Sequence, residues 1–181
     1  DYPVQTTGTS ATVAADWMGA DQVKGSFSTD LSDYVVVEVA LYPKDGKSVD
    51  LTTIDFALRG DGRMIRPVDP RSIANIHQKR ANKRGSDLVL YPTVGMSTGT
   101  WGTGGGVGVG VGQGRSRGPA STPRDRDVME MELEEKALQD GQAAKPVAGY
   151  LYFPVGKKKA AGYDLEYQNG DTDVKLRLTG N

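Results

Sequence analysis

Residues 138–155 read LQDGQAAKPVAGYLYFPV and decide what kind of fold the chain can adopt. After Leu138 comes a polar connection that contains Asp140 and Gly141, and every second residue from 147 to 153 then shares one face of an extended chain. A period of two is typical of a strand with one buried face, and Pro154 ends pairing because it has no N–H. The stretch therefore predicts a helix end, a turn and an aromatic strand.

Runs with the same alternation lie on both sides of this stretch, at 34–42, 54–58, 163–167 and 174–178. In the first run Val35, Val37 and Val39 fall on one face, whereas the other face is mixed. Asn169 and Gly170 give a hairpin signal between the last two runs, and 53–68 reads as another hairpin. Strands with one apolar face need a second sheet to cover them, so the pattern predicts a mainly β fold, an antiparallel β-sandwich.

Two short helices are predicted between the strands. Asp69 followed by Pro70 is a helix-start signal, and Ile73, Ile76 and His77 then share one face of a helix that ends near Gly85. A second helix is predicted over 122–140, across the mouth or edge of the sandwich. Its expected apolar stripe consists of Val128, Met131 and Leu138, with Met129, Leu133 and Ala137 beside it.

Two segments fit the sandwich less well within a single domain of residues 1–181. Residues 1–33 are predicted to form an N-terminal arm or edge strands, anchored by Trp17. Residues 92–120 form a glycine-rich insertion, and long insertions in compact domains are either functional or disordered. The residues that we predict to contact a partner lie in these two segments: Trp17, Trp101, Val107, Val109 and Val111. The three valines alternate with glycines, as in a thin strand that packs closely against another surface, and a floppy loop is the alternative.

Composition excludes several classes of function. The 181 residues include 22 basic and 23 acidic side chains, so the net charge of −1 creates no field that would attract nucleic acid or an anionic membrane. The chain has no cysteine, which removes disulfides, thiolate catalysis and cysteine-based metal sites. We expect no cofactor and no metal.

The chain begins at Asp1 and contains no long apolar run, so we expect no membrane span. We expect the mature product of an exported precursor, located in the periplasm, at the cell surface or outside the cell. No lipid anchor is expected, because an N-terminal cysteine is absent.

The strand pattern resembles a family of immunoglobulin-like domains in exported bacterial proteins, many of them lipoproteins and most without an assigned function. The residues that carry the resemblance are 35–41, Leu51, 55–58, Asp61, Gly62, Leu138, Asp140, Gly141, 149–155 and 163–167. It covers roughly 34–68 and 133–178, and the chain departs from it at Lys145 and Pro146, where such domains often place a glycine turn. The resemblance implies an immunoglobulin-like sandwich and supplies no catalytic signature.

Residues 95–99 match the G-x-S-x-G string of serine hydrolases. That mechanism needs a helix after Ser97 and usually a histidine later in the chain, whereas glycines follow here and His77, the only histidine, precedes the serine. We favour coincidence in a Gly/Ser/Thr-rich segment, and His77 reads as a half-buried helix residue. A serine hydrolase is the third alternative.

Oxygen ligands for calcium could come from Asp164, Asp171, Asp173 and Asn169 near the last hairpin, but EF-hand spacing is absent. We interpret these residues as a solvated turn. The basic run at Lys157, Lys158 and Lys159 is interpreted in the same way.

The leading hypothesis is a non-enzymatic module that acts by protein–protein contact, either in a cell-surface or extracellular assembly or as a periplasmic partner-binding domain. Its expected partner is a protein, through self-association or contact with an envelope protein, and β-augmentation is the expected mode. The alternative is a carbohydrate- or cell-wall-binding module that stacks sugars on Trp101, Tyr150, Tyr152 and Tyr163.

Overall fold

Ten strands, three α-helices and one 3₁₀ turn make up the part of the chain, residues 2–86 and 123–180, that the computed structural model describes. The strands are β1 (Val4–Thr7), β2 (Ala11–Trp17), β3 (Tyr34–Pro43), β4 (Val49–Leu51), β5 (Phe56–Gly60), β6 (Arg63–Ile65), β7 (Gly141–Ala143), β8 (Val147–Pro154), β9 (Gly162–Asn169) and β10 (Thr172–Thr179). The helices are α1 (Ala20–Ser26), α2 (Pro70–Ser86) and α3 (Pro123–Lys136), and the 3₁₀ turn is Thr53–Asp55. The prediction of a mainly β protein is confirmed; the predicted insertion, 92–120, lies outside the described residues.

The first sheet has four antiparallel strands in the order β1-β2-β3-β8. The strand predicted from the aromatic stretch, β8, pairs with β3 so that Val37 faces Leu151. On its other side β3 pairs with β2, where Ala15 faces Val39. The valine-rich strand is therefore an interior strand of this sheet.

The second sheet is also antiparallel and has the order β10-β9-β5-β6. Asn169 faces Thr172 across the predicted hairpin, and Gly170 takes a positive φ of 52° in its turn. The two central residues of this turn are Gly170 and Asp171, and glycine adopts the positive φ of the first without a steric penalty. The predicted hairpin is thus present, with its turn one residue later than the Asn-Gly pair. A small third sheet pairs β4 with β7.

The two four-stranded sheets share one hydrophobic core. Val35, Val37 and Leu41 enter it from β3, and Phe56 and Leu165 enter it from the second sheet. Aromatic contacts join the layers: the Trp17 and Tyr163 rings meet edge to face with centroids 5.3 Å apart. The alternating residues identified in the sequence thus face this core.

A second hydrophobic cluster covers the opposite face of the first sheet. Val36 and Tyr152 lie on that face and pack with Ile73 of α2 and Leu133 of α3. The sequence predicted a mixed second face for β3, but both of its faces are largely buried because the helical layer lies over it. The helices therefore cover a sheet rather than the mouth of a sandwich.

The N-terminal segment 1–33 is built into the fold. β2 lies between β1 and β3, so only β1 occupies an edge of the sheet. The Trp17 side chain is buried, with 8% of its surface exposed, and Gly180 lies against its ring. The indole of Trp17, which was predicted to contact a partner, is thus part of the core and offers little surface for such a contact. Alanine-rich β2 gave too weak an apolar signal to reveal an interior strand.

The predicted stripe on α3 is wrong at two of its three positions, Val128 and Met131; the third, Leu138, is buried as expected but follows the end of the helix at Lys136. Val128 and Met131 are 57% and 69% exposed, whereas Leu133 is fully buried. Met129 and Ala137, four residues before and after Leu133, are partly buried on the same face. Two apolar series run through this sequence, and packing against α2 and β8 selects the one that contains Leu133.

Candidate interaction cleft

A cleft of about 1060 Å³ opens between α3 and the edge of β8. Its walls come from the 3₁₀ turn, residues 67–70 before and at the start of α2, the second half of α3 with the residues after it, and β8. We call it the β8–α3 cleft. It lies where the helical layer meets the first sheet, so residues of a strand and of helices both line it.

The floor of the cleft is the edge of β8, and other backbone segments already occupy that edge. The Leu138 N–H donates to the Tyr150 carbonyl at 3.0 Å, and the Val68 N–H donates to the Tyr152 carbonyl at 2.9 Å. Gly149 allows this close approach, because a Cβ there would lie 2.5 Å from the Leu138 Cα. A partner strand cannot pair with β8 at these positions, so the cleft is suited to receive side chains instead.

One bank of the cleft presents Ile54, which is 68% exposed. The Thr53 N–H at the start of the turn donates to the Asp140 carboxylate at 2.7 Å. The Arg66 guanidinium donates to the Ile54 carbonyl, also at 2.7 Å. Hydrogen bonds on both sides of Ile54 therefore hold this apolar side chain in an exposed position.

The other bank is α3, which presents Met131. The adjacent Glu132 carboxylate accepts hydrogen bonds from the backbone N–H and hydroxyl groups of Ser28 and Thr29, at 2.7 to 3.2 Å. One turn later the Lys136 ammonium donates to the Ser26 carbonyl and lies 4.7 Å above the centre of the Phe27 ring. These contacts fix α3 against the segment that follows α1, so both banks are firmly placed.

The described lining of the cleft is acidic: it includes five carboxylates and no lysine or arginine. They belong to Asp69, Glu132, Glu134, Glu135 and Asp140. Hydrogen bonds from Ser72 lower the pKa of Asp69. Burial alone would raise the pKa of Glu132, but the hydrogen bonds from Ser28 and Thr29 outweigh it and lower this pKa as well. Both groups are therefore charged at neutral pH.

Glu134 and Glu135 differ from the other acids of the lining. Within residues 2–86 and 123–180, no ion pair or side-chain hydrogen bond engages either carboxylate. Both residues lie one helical turn after Met131. Their charges are available to a group that enters the cleft beside the Met131 side chain.

Most residues that the sequence analysis selected lie elsewhere. Trp101, Val107, Val109 and Val111, together with Ser97, lie outside the described residues, and Trp17 is in the core. For the sugar-stacking alternative, Tyr152 and Tyr163 are each 1% exposed, so neither ring can stack on a ligand. Tyr150 is half-buried and lines the cleft, with its ring 5.3 Å from that of Phe27.

The exposed apolar residues Ile54 and Met131 are those that the sequence analysis did not assign to a site. Ile54 was grouped with Phe56 and Leu58 in one alternating run, and Met131 was assigned to a buried stripe. The sequence alone does not mark these two residues as exposed. Ile54 lies before the start of β5 at Phe56, and Met131 lies off the helix face that contains Leu133, but both facts require the structure.

His77 lies half-buried on α2, and burial lowers its pKa. Its Nε2 atom is buried and has no hydrogen-bond partner among the described residues. Near the last hairpin the Asp164 carboxylate pairs with Lys175 and Arg177 at 3.2 and 3.0 Å, and Asp171 is exposed. No group of three or more His, Cys, Asp or Glu side chains in the described ranges is arranged to hold a metal ion.

The fold and cleft define a mainly β protein with two antiparallel sheets and a helical layer. Among the described helices, none is both long enough and apolar enough to cross a membrane. No family model matches the chain, and no curated protein matches it. Among solved structures, the chain is similar to the crystal structure of the yjhA protein from Bacillus subtilis, a structural genomics target. The TM-score is 0.46 at 12% sequence identity, over 99% of this chain and 98% of that chain.

Proposed function

We propose that the chain is a non-enzymatic module that acts by protein–protein contact and that the β8–α3 cleft is its contact surface. The observation that carries the proposal is the exposure of Ile54 and Met131 on the two banks of the cleft. Scattered exposed apolar residues are ordinary, but apolar side chains that converge on one concave site are typical of a binding surface.

The rigidity of the two banks supports the same function. Ile54 and α3 are both held by hydrogen bonds before any partner arrives, so little conformational entropy is lost at these positions on binding. Because backbone segments occupy the edge of β8 at Tyr150 and Tyr152, the proposed mode is insertion of partner side chains into the cleft. Strand addition, which the sequence analysis expected as the general mode, is therefore not the mode proposed for this cleft.

The class and location of the module belong to the same proposal. Two four-stranded antiparallel sheets with a shared core are compatible with an immunoglobulin-like sandwich, which the sequence resemblance implies. The resemblance also supports export to the periplasm, the cell surface or the exterior. The partner is then a second copy of this chain or an envelope protein.

Site-specific photocrosslinking tests the proposal. A benzophenone amino acid is placed at Met131 and, as the control, at Val128, which is also exposed on α3 but does not line the cleft. Irradiation in cells that make the protein is expected to give a discrete protein adduct from position 131, and Ile54→Asp in the same chain is expected to abolish it. Size exclusion with light scattering then distinguishes a homodimer from a complex with another protein. Equal labelling from positions 131 and 128 would contradict the proposal.

A further inference from the structure

We infer that the partner of the β8–α3 cleft is a basic peptide segment in which a large apolar side chain is flanked by lysine or arginine. The inference rests on the proposed function and names the chemistry of its partner. It combines the exposed apolar side chains on the banks with the exclusively acidic charge of the described lining.

The apolar part of the segment is specified by the two banks. Ile54 and Met131 each expose about two thirds of their surface, so large apolar side chains that enter the cleft and contact them would remove apolar surface from water. Leu138 and Leu151, which also line the cleft, are buried and belong to the main core. An incoming apolar side chain would therefore pack against residues of the hydrophobic core.

The basic part is specified by the spacing of charges on α3. Glu134 and Glu135 follow Met131 at i+3 and i+4, which places them beside it on the helix surface. A cation next to the inserted apolar side chain would meet these two carboxylates, which have no partner among the described residues. Asp69 and Asp140 contribute further negative charge, although hydrogen bonds to the chain already engage them.

The same charges disfavour other partners. An acidic peptide or a phosphate-bearing ligand would meet five carboxylates with no described lysine or arginine in the lining to offset the repulsion. On the second sheet, by contrast, Arg59, Lys175 and Arg177 are paired with Asp164 and Glu166.

Fluorescence anisotropy with three labelled synthetic peptides tests the inference on the full chain. The first peptide has four Leu-Lys repeats, the second four Leu-Gln repeats and the third four Ser-Lys repeats. We expect the Leu-Lys peptide to bind at least about tenfold more tightly than either of the others at low salt, with the advantage over Leu-Gln falling as salt is raised. The double variant Glu134→Gln/Glu135→Gln is expected to remove most of that advantage.

Two controls accompany this experiment. Asp171→Asn removes an exposed carboxylate outside the cleft and is expected to leave the affinity unchanged. Ile54→Asn combined with Met131→Gln removes the apolar banks without adding charge and is expected to abolish the advantage of the Leu-Lys peptide over the Ser-Lys peptide. Because all of these side chains are exposed or form no described contact, unchanged thermal unfolding verifies that each variant is folded.

The outcomes separate the inference from the proposed function. Equal affinity for Leu-Lys and Leu-Gln, or for Leu-Lys and Ser-Lys, overturns the inferred chemistry and leaves the contact surface standing. If none of the three peptides binds but position 131 still gives a specific adduct, the inferred chemistry is likewise overturned and the contact surface stands. Absence of both binding and the adduct overturns both.

Discussion

The Tyr152 hydroxyl donates a 3.1 Å hydrogen bond to the main-chain carbonyl of Leu133, inside the cluster between the first sheet and the helices. It joins β8 directly to the last turn of α3. The same carbonyl accepts the Ala137 N–H at 2.9 Å, so it has a second partner. This buried hydrogen bond helps to orient α3, which forms one bank of the cleft.

Replacing Tyr152 with phenylalanine removes this bond and keeps the ring. Because the Leu133 carbonyl retains the Ala137 N–H, we expect a loss of only about 0.5–1.5 kcal/mol in the free energy of unfolding. Urea denaturation followed by circular dichroism measures it. A loss several times larger would show that the hydroxyl has a structural role beyond this hydrogen bond.

The phase of α3 is tested by comparing two alanine variants on the same helix. Leu133→Ala leaves a cavity in the second cluster and is expected to cost about 2–5 kcal/mol of stability. Met131→Ala changes an exposed side chain and is expected to alter stability by less than about 0.5 kcal/mol. The reverse order in chemical denaturation would mean that the sequence-based stripe was correct and the described helix phase was not.

Glu132 links stability to pH. Its folded-state pKa is lowered, so the hydrogen bonds from Ser28 and Thr29 stabilise the fold above the unfolded-state pKa of about 4.3 and are lost as the pH falls through the lower folded value. We expect Glu132→Gln to cost about 1–2 kcal/mol at pH 7, since bonds to a charged acceptor become bonds to a neutral one.

The measurement is unfolding of both proteins at pH 7 and at pH 3, where the difference between them should shrink. Glu135→Gln serves as the control because its carboxylate has no partner among the described residues. A difference that is the same at both pH values would show that the carboxylate charge is not what stabilises this contact.

Gly149 is expected to tolerate no side chain. A Cβ at this position would lie 2.5 Å from the Leu138 backbone N and 2.8 Å from the Ala137 carbonyl carbon, and neither backbone group can rotate away. Gly149→Ala should therefore cost about 1–3 kcal/mol or more and disrupt the Leu138–Tyr150 hydrogen bond.

Gly25 provides the matched substitution, because it lies within α1 and a Cβ there would meet no atom within 4 Å. Alanine at this helical position is expected to be neutral or to stabilise by up to about 1 kcal/mol. Thermal unfolding of both variants separates the steric effect at 149 from the general effect of replacing glycine. Equal stability of the two would rule out the close approach at the floor of the cleft.

Local patterns predicted the strands because their causes are local. Alternating apolar residues predicted four strands, β3, β8, β9 and β10, and Asn169 with Gly170 predicted the last hairpin. Each of these signals depends only on neighbouring residues, and the structure has these elements where they were expected. The start of α2 at Pro70 is another local signal that proved correct.

The cleft could not be predicted in this way, since it depends on which elements meet. The exposure of Ile54 results from the 3₁₀ turn, whose geometry depends on Asp140, far along the chain. The exposure of Met131 results from the choice between two apolar series on α3, which only packing against β8 and α2 decides. The burial of Trp17 likewise depends on contact with Tyr163. These features depend on tertiary contacts, which the periodicity of the sequence does not predict.

Because alternate residues of β3 enter the two hydrophobic clusters, the strand is a shared wall rather than the boundary of one core. Removing the helical layer would expose Val36 to water, and separating the sheets would expose Val35 and Val37 on the reverse side. Neither layer can melt without weakening the strand on which the other depends. We therefore expect a single calorimetric transition for the described fold, with the backbone amides of β3 exchanging their hydrogens only through global unfolding.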